Sequence, residues 1–175
     1  MAAGKIILIK ILSTLVLIRI GRFFFWYNTH MTNRFPYVGS AYLLLIRDGK
    51  ILLLRRANTG FEDGKYGLPA GHMDGGETAR EGGAREIREE IGLTIKPEDL
   101  EVVHVMHRKA TEDERIDFFM TASAYEGEIK NMEPEKCDDL SWFKLSALPP
   151  NIIDYIRVAI ENAEAKKFYS EYGWE

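Results

Sequence analysis

Three carboxylates, Glu86, Glu89 and Glu90, lie in the run Arg85-Glu86-Ile87-Arg88-Glu89-Glu90. On a helix, residues i, i+3 and i+4 share a face, so these acids repel one another unless something positive sits among them. Oxygen ligands suit a hard divalent cation, and Mg²⁺ or Mn²⁺ is the natural choice. The plainer alternative is a solvated acidic face on which Arg80, Arg85 and Arg88 form surface pairs worth about 0.2–0.5 kcal/mol each. A glycine-rich turn, Gly71 to Gly76, directly precedes the helix and weighs toward the metal.

These residues must be positioned by the elements around them. A helix fits Thr78 to Ile91, with Ala84, Ile87 and Ile91 on its apolar face and Gly92 as its C-terminal cap. Gly82 and Gly83 inside it cost about 1 kcal/mol each relative to alanine, which points to the close approach of another backbone. Upstream, Val38–Ile46 and Ile51–Leu54 flank Asp48-Gly49 and read as a hairpin. A polar loop runs to Gly64, and Tyr66–Leu68 is a short strand. Downstream, Glu101–Met106, Ile116–Tyr125 and Leu140–Lys144 read as strands, and Asn151 is placed to cap a last helix rich in isoleucine. The sum is an α+β domain in which a sheet packs against helices.

Composition narrows the function classes. The chain has 175 residues, a net charge of −4 and one cysteine, Cys137. A single cysteine excludes an intramolecular disulfide, so nothing requires an oxidising compartment and the expected location is cytoplasmic. A Cys/His zinc site is excluded by ligand spacing. Residues 1–30 carry Lys5, Lys10, Arg19 and Arg22 and no acid, so residues 31–175 carry −8. A body this acidic is a poor binder of polymeric nucleic acid, yet it can take small phosphates through a metal ion. The apolar segment 6–27 is interrupted by Lys10 and Arg19 and does not read as a clean membrane span of roughly 20 residues. It is a membrane-associated helix, a helix packed on the domain or a partner, or an upstream extension with the biological start at Met31. A membrane partner follows only if residues 1–30 are native. The body, 31–175, is expected to be a single domain.

The segment Gly71–Leu93 resembles a Nudix box, G-x5-E-x7-R-E-U-x-E-E-x-G-U with U a bulky apolar residue. Gly71, Glu77, Arg85, Glu86, Ile87, Glu89, Glu90, Gly92 and Leu93 fill every specified position. The resemblance implies a Nudix fold, a mixed β-sheet sandwiched between α-helices, over about residues 37–165. It also implies metal-dependent hydrolysis of a nucleotide phosphoanhydride. Carried over by position, Glu86 and Glu90 are the main metal ligands, Glu89 is a further ligand or the base, and the Ala70 carbonyl is another ligand. Glu77 and Arg85 tie the loop to the helix, with Gly71 and Gly92 structural. Glu112 and Glu114 are alternative bases.

Asn131-Met132-Glu133-Pro134-Glu135-Lys136-Cys137, Trp142 and Leu148-Pro149 are similar to a segment of MutT-like nucleoside triphosphate diphosphatases, as is Pro69-Ala70-Gly71-His72. This implies release of a nucleoside monophosphate and pyrophosphate from a small nucleotide. The alternatives are a nucleoside diphosphate linked to another moiety, such as ADP-ribose or a nucleotide sugar, and a non-catalytic Nudix domain, against which the intact carboxylates argue. His72, Arg55 or its neighbour Arg56, and Glu133 are the candidate substrate contacts. Of His104 and His107, one is placed to reach substrate. Tyr37, Phe118 and Trp142 are the candidates for stacking on a base, although core packing is the commoner fate of such residues. Many relatives form dimers, so a homodimer is compatible with the resemblance.

Overall fold

The computed structural model describes residues 35–111 and 113–174. The readings of residues 1–30 and of Glu112 lie outside the described residues. In chain order the elements are β1 (Val38–Leu43), β2 (Ile46–Arg47), β3 (Lys50–Arg56), β4 (Tyr66–Gly67), β5 (Ala70–His72), α1 (Ala79–Ile91), β6 (Leu100–Lys109), β7 (Glu114–Ala122), β8 (Cys137–Lys144), α2 (Asp154–Glu164) and β9 (Tyr169–Tyr172).

They form a five-stranded mixed sheet in the order β5-β1-β7-β6-β9 and a second, antiparallel sheet in which β3 pairs with β2, β4 and β8. The expected single hairpin is divided between the two. Asp48 and Gly49 do make the tight turn, both with positive φ, but it joins β2 to β3. Just upstream the chain changes sheets: the Leu44 N–H donates to Met120 on β7, and the Leu45 carbonyl accepts from Leu52 on β3. A continuous apolar run hides such a switch because both halves are buried.

Strand alternation sends side chains of β1 to two cores. Tyr42 and Leu44 join Phe119, Met106, Ile51 and Leu53 beneath α2, which contributes Ile156, Ala159 and Ile160. Ala41, Leu43 and Leu45 join Leu52, Leu100 and Met120 beneath α1, which contributes Ile87 and Ile91. The sheets thus lie between the two helices, as the resemblance implies.

Two local expectations are corrected, and one strand is added. Asn151 does not cap α2; that helix begins at Asp154 with no side-chain cap, and the Asn151 amide donates instead to the Gly64 carbonyl at 2.8 Å. The glycines of α1 make room for side chains and not for a backbone: a Cβ on Gly83 would meet Met120 Cε at 2.5 Å, and one on Gly82 would meet Glu77 Oε1 at 2.7 Å. Finally, β9 was not foreseen. Its four residues are too short for a clear alternation, and only parallel pairing with β6 makes them a strand.

Candidate active site

The turn between β5 and α1 is built from local bonds. Thr78 caps α1 in a reciprocal arrangement: its side chain accepts from the Glu81 N–H, and the Glu81 carboxylate accepts from the Thr78 N–H at 2.8 Å. Glu77 accepts from the Asp74 N–H at 2.6 Å, which folds the turn back on itself. Arg85 then joins turn to helix. It donates to Glu77 at 2.8 and 3.2 Å, to Glu86 at 2.7 Å and to the His72 carbonyl at 3.1 Å. The Arg85 guanidinium, with the Asp74 N–H, holds the Glu77 carboxyl below its usual range.

Two glycines of the motif have steric reasons. A Cβ on Gly71 would stand 1.9 Å from the Glu86 carboxyl carbon, so only glycine lets that carboxylate lie against β5. Gly92 ends α1 in the left-handed conformation, φ 74°, with its N–H bonded to the Arg88 carbonyl.

Glu86, Glu89, Glu90, Ala70, Gly71, His72 and Glu133 all line one cavity of about 500 Å³. Glu90 is tucked against β5, where its Oε2 accepts from the Ala70 N–H at 2.8 Å. Burial pushes its carboxyl up to about 8; the Ala70 N–H opposes this, and the charges of Glu86 and Glu133 add to it. Glu89 is more open, its side chain 51% exposed, with a carboxylate oxygen 3.8 Å from Arg85. Among the described residues no group of three His, Cys, Asp or Glu side chains converges tightly enough to enclose a metal ion. The residues nonetheless fit a hard cation that keeps several waters and needs few protein ligands. Glu86 and Glu90 flank the Ala70–Gly71 backbone, and a positive charge between them would favour the charged form of Glu90 against its burial and the charge of Glu86.

The cavity wall also carries cations. Arg56 lines it, held by a bond from its Nε to the Phe61 carbonyl at 2.8 Å, which leaves its terminal nitrogens without a hydrogen bond among the described residues. Arg115 is gripped by both oxygens of Asp113 at 2.8 and 2.9 Å and reaches His72 Nε2 at 3.0 Å. Lys136 pairs with Glu133 at 2.6 Å.

Other expected contacts lie elsewhere. Arg55 turns away from the cavity to pair with Asp138 at 2.7 Å; Arg56 lines it together with Leu54, two residues before it on the same face of β3. Tyr37 packs edge-on against His107, Trp142 lies under Arg47, and neither they nor Phe118 line the cavity. Its aromatic rings are Tyr42, Phe61 and Tyr155. Glu114 stands 3.7 Å from His107, and His104 is buried against Lys167 and Ser170, so none of the three reaches the site. Of the residues not foreseen, Arg115 and Tyr155 carry no local signal, since they reach the cavity only when β7 and α2 pack beside β1.

The NUDIX domain family matches residues 36–163. The chain is 31% identical over 115 residues to an ADP-ribose pyrophosphatase of Methanocaldococcus jannaschii, 66% of each chain. It is 30% identical over 118 residues to the NAD-capped RNA hydrolase NudC of Pseudomonas aeruginosa, 67% of this chain but only 40% of that protein. Among solved structures, a MutT NUDIX hydrolase from Burkholderia pseudomallei is similar with a TM-score of 0.66 and 30% identity, covering 72% of this chain and 97% of that one. Among the described residues no helix is long and apolar enough to cross a membrane.

Proposed function

The chain belongs to the NUDIX domain family, and from that premise we propose that it is a metal-dependent pyrophosphohydrolase acting on a nucleoside diphosphate linked to another moiety, with ADP-ribose the first candidate. One observation carries the reading: an acidic set, Glu86, Glu89 and Glu90, shares a single cavity with Arg56, Arg115 and Lys136. That is the charge arrangement a pyrophosphate bridged by cations requires.

Glu86 and Glu90, with the Ala70 carbonyl, are the residues that would hold Mg²⁺ or Mn²⁺. A divalent cation bound there neutralises pyrophosphate charge and lowers the pKa of a bound water. Glu89, the most open of the three acids, receives the proton of the attacking water. Arg56 offers its terminal N–H donors to the phosphates, and Arg115 and Lys136 add positive charge along the same wall. Arg85 keeps Glu86 and the turn in register, so its part is positioning. Water adds across one P–O bond, one phosphate gains the oxygen and the other leaves with its bridging oxygen.

The sequence pattern favoured a nucleoside triphosphate as substrate, and the fold similarity to MutT proteins supports that as a second reading. The named relatives weigh toward the linked diphosphate. Hydrolysis of ADP-ribose, NADH and the common triphosphates, with Mg²⁺ and with EDTA and with products identified by mass, separates them. AMP and ribose 5-phosphate from ADP-ribose is the expected result. Pyrophosphate from a triphosphate alone selects the second reading, and no turnover of any compound overturns both.

A further inference from the structure

On the β1–β7–α2 side of the same cavity lies a polar cluster that the hydrolytic chemistry does not use. Ser40 lines the cavity and is 2% exposed. It stands opposite Asp117 in the parallel pairing of β1 and β7. Asp117 is fully buried and accepts from Arg108 Nε at 2.6 Å. The Arg108 guanidinium lies 4.0 Å from the centre of the Tyr155 ring, and Tyr155 in turn meets Tyr42, their hydroxyls 3.4 Å apart. Among the described residues, three polar atoms here, Ser40 Oγ, Asp117 Oδ1 and Arg108 Nη2, are buried without a hydrogen-bond partner. Native interiors rarely leave such atoms unpaired, and each cluster of them calls for an explanation.

We propose that Ser40 is a specificity-determining residue, oriented by the buried Asp117–Arg108 pair, that accepts a hydrogen bond from an N–H on the heterocycle of the substrate. The direction follows from chemistry. A carboxylate can only accept, so the Ser40 hydroxyl donates to Asp117 and a lone pair of Oγ is left for the cavity. The Ser40 hydroxyl is already among the groups that favour the Asp117 carboxylate. Burial pushes the Asp117 carboxyl up, and the Arg108 guanidinium bonded to it opposes this. Tyr42 and Tyr155 line the same wall beside Ser40. Asp117 and Arg108 are positioning residues, because they act through Ser40.

The inference rests on the reading of the cavity as a nucleotide site, and its test is separable from that reading. ATP and ADP-ribose present the same adenine amino group, so both are compared with purine-riboside counterparts that lack it. The wild type is expected to favour the amino-bearing member by about tenfold or more in kcat/KM. Ser40→Ala and Asp117→Asn compress the ratio to within about threefold, and the better substrate loses the advantage while the poorer one is unchanged. The same ratio is read without turnover by titrating AMP and purine-riboside monophosphate into each protein. A wild type blind to the amino group in both assays, or a folded Ser40→Ala that keeps the full ratio, overturns the proposal. Selective binding of AMP without any hydrolysis overturns only the enzymatic reading. If Asp117→Asn fails to fold, Ser40→Ala, which removes one oxygen from a small side chain, decides alone.

Discussion

Arg85 and Arg108 each anchor a polar network beside the five-stranded sheet, and the two are built on opposite plans. Arg85 is partly solvated, 27% exposed, and its network is closed: its nitrogens are shared among Glu77, Glu86 and a backbone carbonyl. Arg108 and Asp117 are almost wholly buried, with side chains 5% and 0% exposed, yet their network is open and leaves atoms on both residues unpaired. Where water is at hand an unmade bond costs little, and a network there serves geometry. In the interior an unmade bond is expensive, and this buried pair stands behind Ser40, which lines the cavity.

The sharpest way to break this contrast is Asp117→Ala. It strands the Arg108 charge, and the expected loss is about 3–5 kcal/mol in urea unfolding; replacing both residues by apolar ones of similar size recovers most of it. A loss under about 1 kcal/mol would place the pair with ordinary surface bridges. Glu86→Gln tests the other side. Turnover falls roughly 10²–10³-fold, the scale for removing one preorganised electrostatic contact, while the melting temperature holds or rises, because one of the repelling carboxylates is gone. A variant that keeps full activity removes Glu86 from the metal site.

Arg85→Ala lies between these two. Its bonds are partly solvated, so stability drops by only about 1 kcal/mol, while activity falls about 10–100-fold as Glu86 and the turn lose their support. Equal and large losses in both would make the Arg85 network a pillar of the fold.

The smallest effect is a pH slope. The Glu90 carboxyl is raised from 4.5 to about 8 in the folded state, so between these values the folded chain binds more protons than the unfolded one. Stability of the metal-free protein is therefore present at low pH and declines as pH rises through about 8. Thermal melts across that window should show the decline; Mg²⁺ or Glu90→Gln should flatten it. A slope that survives Glu90→Gln belongs to another group.

The motif residues were readable because their relations are local. Glu86, Glu89 and Glu90 share a face by helix geometry, the Thr78 cap and the Gly92 terminator need only their neighbours, and Glu77 meets Arg85 across one turn and the start of one helix. The choice between Arg55 and Arg56 was not readable, because alternation says only that the two face opposite ways, and which face of β3 meets the cavity depends on what packs against it. The substrate was not readable either: the 131–137 segment is similar to triphosphate hydrolases, whereas the relatives by identity include an ADP-ribose pyrophosphatase.

The sequence by itself determined the acidic helix, its caps, the turn before it and the family to which they point, since each depends on spacings of a few residues along one chain segment. Only the tertiary structure decided that β1 leaves its hairpin to pair with β7, and with it that Ser40 faces Asp117 and that Arg115 and Tyr155 join the cavity wall. These residues are separated by scores of positions, and what brings them together is the burial of two apolar cores on either side of one sheet.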